Sequence, residues 1–167
     1  TDGVFQFESS GIQQVLQKIK PDSFGIVAIV DALYRPGPIK NIDLFIKRRK
    51  QHQSVKYPSQ SLKKVLAPTY GIIIYQEQVM LVAQIMGGFT LGEADILRRA
   101  MSKKNHSIMA KMQDKFLTGA KQKGFSASIA KRTFDYMNRF ASYGFNKSHA
   151  VAYSKLAFQL AYLKVHY

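Results

Sequence analysis

Proline and glycine cut this 167-residue chain into helix-length pieces, and nearly every piece repeats its apolar residues at helical spacing. Gly11 to Lys20 sets Ile12, Val15, Leu16 and Ile19 on one face, and Pro21 ends the run. Ser23 stands where it would cap a second helix, apolar from Phe24 to Leu33. Arg35-Pro36-Gly37-Pro38 forbids continuation, because proline lacks the N–H and restricts the residue before it. A third helix is predicted from Asn41 to about Gln51, with Ile42, Phe45 and Ile46 inward. A polar loop follows over 52–60, then a short helix from Ser61 to Leu66 stopped by Pro68, and a turn at Tyr70-Gly71. Ile72-Ile73-Ile74 is β-branched and reads equally as a short strand or a buried helix start.

The second half continues the pattern. Gln76 to Met86 reads as helix ended by Gly87-Gly88. Thr90-Leu91-Gly92-Glu93 is a capping box, opening a helix that carries Ile96, Leu97, Arg98, Arg99, Met101, Lys103 and Lys104. Ser107 to Lys123 is predicted as a long amphipathic helix closed by Gly124, and another runs from Ser126 or Ser128 to about Ala141. Tyr143 to Lys147 reads as a loop, after which Ser148 is expected to cap a final apolar helix. The predicted fold is mainly α, with at most a minor β element.

Charge narrows the function. The net charge is +15, and residues 96–167 hold 14 Lys and Arg against two acids, Asp114 and Asp135. Nucleic acid or nucleotide is the commonest partner of such a segment, and a solvated basic face is the plain alternative. An anionic membrane surface fits less well, because the cations spread over several helices rather than one stripe. No run approaches a membrane span, no signal-peptide pattern opens the chain, and there are no cysteines to form disulfides or thiolate metal sites. These features predict a cytoplasmic protein with no membrane partner. The start without Met and the stop at His166-Tyr167 inside a helical pattern are read as the ends of a piece of a longer polypeptide.

Self-contained catalysis finds no support. Two-metal nucleotidyl transfer needs converging carboxylates, and the ten acids include no Asp-x-Asp pair. Glu93 is explained by the capping box, and Asp95, two residues on, does not face it on a helix. His52, His106, His149 and His166 lack metal-ligand spacing, so no metal ligand is expected.

Phosphate binding is better supported. Arg98 and Arg99 offer planar forks, and Lys103 shares a face with Arg99 at i,i+4. The alternative is solvation of an exposed face, with Asp95 as the local acid able to pair with Arg99. A second candidate is the start of the last helix. Free N–H groups there would face a phosphate beside Lys147, and His149 and Tyr153 share a face. Tyr153 could lie against a base. The structural alternative makes Ser148 a plain cap, His149 a structural histidine and Tyr153 core. Lys47-Arg48-Arg49-Lys50, with Lys56, Lys63 and Lys64 nearby, is either a backbone-contacting patch or a solvated helix end.

Five ordered segments carry a resemblance. They are Gly3-Val4-Phe5-Gln6-Phe7-Glu8-Ser9, Leu33-Tyr34-Arg35-Pro36-Gly37-Pro38, Thr69 to Gln78 (TYGIIIYQEQ), Asp95 to Lys104 (DILRRAMSKK) and Tyr143 to Ala150 (YGFNKSHA). As a set they resemble the alpha subunit of bacterial DNA polymerase III, the C-family replicative polymerase, nearest the form found in low-GC Gram-positive bacteria.

The resemblance implies that residues 1–20 form a palm–fingers junction and 21–167 a helical fingers domain. It implies a part of a DNA-directed DNA polymerase, a nucleotidyltransferase, whose catalytic aspartates and Mg²⁺ ligands lie outside this stretch, so the isolated piece would be inactive. It implies that Arg98, Arg99, Lys103, Lys147, Ser148 and His149 meet the triphosphate of the incoming deoxynucleotide. Tyr153 would stack near the nascent base pair, and Arg35, Tyr75, Gln76 and Glu77 would line the cleft. Primer–template DNA and the incoming nucleotide are the implied partners. The sliding clamp and other replisome subunits would be met through other parts of the parent. The rival readings from the residues are a stand-alone basic nucleic-acid-binding module and a purely structural helical domain.

Overall fold

A computed structural model of the chain describes residues 1–50, 55–103, 105–141 and 144–167, and the structural statements below concern these. His52, Lys104, Tyr143 and the expected helix end at Gln51 lie outside the described residues. Nine α-helices are described: α1 Ser10–Ile19, α2 Phe24–Leu33, α3 Ile42–Lys50, α4 Lys63–Leu66, α5 Gln76–Gly87, α6 Leu91–Ser102, α7 His106–Gln122, α8 Ala127–Ala141 and α9 Lys147–His166. They fall into two compact units, Thr1–Gln53 with Phe145–Tyr167, and Ser54–Gly144.

In the first unit α2 packs along α9. The apolar run of α2 is buried on most sides, from Ile26 to Leu33. The side of α9 that is buried consists of the small residues Ala150, Ser154 and Ala157, which lets two backbones approach closely. Gly37, at φ +100, turns the chain after α2 into a 3₁₀ segment, Pro38–Asn41, that leads into α3. Arg49 of α3 closes the end of α1: its guanidinium donates to the carbonyls of Ile19 and Lys20 and pairs with Asp22 at 2.8 Å. One of the four cations in the α3 basic run is thus a cap for another helix's orphan carbonyls.

In the second unit α5 packs against α6 and α7, and α7 against α8, around Val82, Met86, Leu97, Phe116, Phe134 and Met137. Gly88 at φ +71 ends α5 as the glycine pair predicts. Thr90 and Glu93 form the predicted capping box, with Thr90 N–H donating to Glu93 Oε2 at 2.9 Å and Glu93 N–H to Thr90 Oγ1 at 3.3 Å. A methyl added at Gly119 would sit 1.9 Å from the carbonyl oxygen of Gly87, so glycine is what lets α5 and α7 touch.

Four local expectations are corrected. Ser148 is not the cap of α9: the extended Asn146 is, its side chain accepting from His149 N–H at 2.9 Å, and Ser148 lies in the first turn. The helix expected from Ser107 begins one residue earlier, at His106, with Asn105 as its cap accepting from Ile108 N–H at 3.2 Å. Lys103 is the residue on which α6 ends rather than a member of the helix. Ile72-Ile73-Ile74 is neither strand nor helix, and no strand occurs among the described residues.

That buried segment is satisfied by side chains instead. Gln78 Oε1 accepts from Ile74 and Tyr75 N–H at 2.8 and 3.0 Å. Gln78 Nε2 donates to Val65 O and Thr69 Oγ1 at 3.1 and 2.7 Å. Thr69 Oγ1 donates to Ile72 O at 2.6 Å, and Tyr136 Oη to Gly71 O at 2.8 Å. Gln78→Met keeps the length and removes every one of the amide's bonds. It is expected to lower unfolding free energy by about 2–4 kcal/mol in urea denaturation of the chain, the cost of orphaned buried groups.

Candidate functional site

The expected site residues divide between the units, and each set is described in its own. In the second unit Arg98 and Arg99 stand on α6, one turn from its C-terminal end, with Asp95 one turn behind them. Asp95 serves both arginines: Oδ1 takes Arg98 Nε at 2.8 Å and Nη2 at 2.7 Å, and Oδ2 takes Arg99 Nε at 2.7 Å. Arg98 also reaches Gln76 Oε1 at 3.2 Å. The first residue of α5 and α6 are therefore joined through a guanidinium. Arg98 is 27% exposed and Arg99 68%, so Arg98 is the anchored fork and Arg99 the presented one. Lys103 is exposed; Gln76 and Glu77 are half-buried, and Tyr75 is buried.

The hydrogen bond from Arg98 is the main cause holding the Asp95 carboxyl below its ordinary range; burial opposes it, and the charges of Arg98 and Arg99 add to it. With the folded-state value depressed, the pairing is present above the ordinary carboxylate range. It is lost as pH falls through the lowered value.

In the first unit the exposed first turn of α9 carries Lys147, Ser148 and His149. Behind it runs a ladder of rings. The Arg35 guanidinium lies 3.3 Å from the Phe145 ring centroid, Phe145 meets His149 edge-on at 5.1 Å, His149 meets Tyr153 at 4.1 Å, and Tyr153 stacks on Phe5 at 5.3 Å. The i,i+4 placement of His149 and Tyr153 puts both rings in contact as the spacing predicts. Asp31, buried on α2 four residues before Arg35, carries no role in the sequence patterns above. Its signal is that it is the lone charge in the run Phe24–Leu33. Phe145 lay within a quoted motif without being given a role.

Both units are basic. Thr1–Gln53 with Phe145–Tyr167 carries 11 Lys and Arg against five acids, and Ser54–Gly144 carries 14 against five. The imbalance that looks confined to one half of the chain is shared by the folded units, because α9 joins the N-terminal helices.

The family described as the bacterial DNA polymerase III alpha subunit finger domain matches residues 1–124. Proteins named DNA polymerase III subunit alpha match across the chain. That of Borreliella burgdorferi is 56% identical over 164 residues, covering 98% of this chain and 14% of the relative. Those of Bacillus subtilis and Aquifex aeolicus are each 50% identical, covering 100% of this chain and 15% of the relative. The chain belongs to the bacterial DNA polymerase III alpha subunit family, and it spans about one-seventh of the length of these relatives.

The Asp95 pairing is checked by carboxyl ¹³C titration of the chain. Asp95 is expected to titrate below an ordinary aspartate, and Arg98→Gln to move it back upward.

Proposed function

We propose that this stretch binds the triphosphate of an incoming deoxynucleotide, and the template beside it, within a DNA-directed DNA polymerase. The observation that carries the reading is the pair of guanidiniums on α6 sharing one carboxylate, which leaves a positive charge uncompensated, in a chain of this family. Arg99, largely exposed, suits a bidentate phosphate contact. Lys103, exposed where α6 ends, adds a mobile charge. Within the first unit, the exposed first turn of α9 offers a phosphate-binding group of its own, in which Lys147 and Ser148 lie at the positive end of a 20-residue helix. His149 and Tyr153 present a ring face for the sugar and base. Arg35 lies over the Phe145 ring that meets His149, Gln76 accepts from Arg98, and in this reading Tyr75 and Glu77 line the cleft beside them.

The physical task is charge placement. Phosphoryl transfer depends mainly on positioning and on stabilising charge that builds on the phosphate oxygens and the leaving pyrophosphate. Fixed cations perform that task without proton transfer. Polymerases generally use divalent ions such as Mg²⁺. In this reading the ligands of such an ion belong to the rest of the parent. The same holds for the sliding clamp and other replisome partners. No helix of the described residues is long and apolar enough to cross a membrane, and the reading places the protein in the cytoplasm.

In the full-length alpha subunit, Arg99→Ala and Lys147→Ala are each expected to raise KM for deoxynucleotide about 10- to 100-fold, the worth of a charge-assisted phosphate contact. Affinity for primed template should stay within about twofold, since uniform backbone contacts are left in place. Unchanged nucleotide kinetics in both variants would overturn the reading. Binding of DNA that falls steeply with salt and ignores free nucleotide would favour a plain nucleic-acid-binding module.

A further inference from the structure

Asp31 is 5% exposed, and its Oδ2 has no hydrogen-bond partner. A buried carboxylate with an unsatisfied oxygen is costly, and an apolar helix such as α2 would be more stable without it. Its neighbours are the two ends of one arrangement. Arg35 follows it four residues on, just past the end of α2, and His149 approaches from α9, the helix packed along α2; both side chains act electrostatically on the carboxylate. Arg35 in turn caps the face of Phe145 at 3.3 Å, and Phe145 touches His149. A cavity of about 520 Å³ opens beside Asp31, Tyr34 and Arg35, so the guanidinium is not held in place by packing on every side.

Resting on the nucleotide-binding reading above, we propose that Asp31 is a positioning residue. Its charge holds Arg35 over Phe145 and steadies His149, so that the first turn of α9 meets the nucleotide in one fixed arrangement. The cation–π contact needs the guanidinium face-on to the ring, and a buried anion on the last turn of α2, just before the chain leaves the helix at Tyr34, biases the long side chain toward that pose. Displacing a supporting group by about 1 Å is enough to cost a site much of its rate or affinity.

Burial is the main cause pushing the Asp31 carboxyl above its ordinary range, against the opposing charges of Arg35 and His149. For an acid raised in the folded state the ionised form weakens folding. The penalty sets in as pH rises above the ordinary value and is complete above the raised one. A neutral isostere should therefore not destabilise the protein, and this separates positioning from mere structural support.

The test uses the full-length alpha subunit with Asp31→Asn, Asp31→Glu, Phe145→Leu and Lys147→Ala, measuring single-nucleotide incorporation and thermal unfolding. Asp31→Asn is expected to raise KM for deoxynucleotide about tenfold, leaving primed-template affinity unchanged and the melting temperature equal or higher. Asp31→Glu, with the cavity to accommodate its extra methylene, should recover most of the loss. Phe145→Leu should raise KM similarly, and the Asp31→Asn, Phe145→Leu double variant should be no worse than either single, as for two residues acting through one contact. If Lys147→Ala raises KM while Asp31→Asn does not, the positioning role is overturned and the nucleotide reading stands. If Lys147→Ala also leaves KM unchanged, both fall. A lower melting temperature with reduced kcat in Asp31→Asn would make the residue structural and overturn the proposal.

Discussion

One side-chain amide holds the second unit together. Gln78 fills both acceptor and both donor positions of its amide with partners from three segments: the carbonyl of Val65, the hydroxyl of Thr69, and the N–H groups of Ile74 and Tyr75. A buried, extended isoleucine run normally gives its backbone groups to a neighbouring strand. Among the described residues there is no strand to take them, and a glutamine in the first turn of α5 substitutes for one. Because that amide sets where α5 begins, it also sets Gln76, and through Gln76 the guanidinium of Arg98.

The first unit solves a different problem. Its core needs a helix from the far end of the chain, and α9 supplies it with a stripe of alanine and serine rather than with bulk. Small residues bring α9 close to α2. Closeness puts Phe145 under Arg35 and His149 near Asp31. Ser154, fully buried in α9 with an unpartnered hydroxyl oxygen, is the second polar group on this helix pair that burial leaves unsatisfied. We find no physical account of it in the surrounding residues.

Much of this was legible in the sequence, and the reasons are local. Pro36, Pro38, Gly88 and Gly124 mark helix ends because each acts through its own backbone, so α2, α5 and α7 end where these residues require. The Thr90–Glu93 box is likewise a short-range device. The fate of Ile72-Ile73-Ile74 was not legible, since it depends on Gln78, Thr69 and Tyr136 arriving from three elements. Ser148 misled because Asn146, two residues earlier, is an equally good cap, and which one the backbone favours is settled by the fold around it. At the candidate site, the arginine pair and the His149–Tyr153 contact follow from helical spacing. Asp31 did not stand out, because its importance lies in what packs over it, and a lone acid in an apolar run signals this only weakly.

The touching of Gly87 and Gly119 has a mechanical side. Where two backbones meet directly, the helices have little soft layer at that point in which to slide or roll. α6 and α8 pack onto the same pair, so the helix that carries Arg98 and Arg99 is bolted to a stiff block. Any displacement of this block would therefore carry its two guanidiniums and their shared carboxylate as one piece.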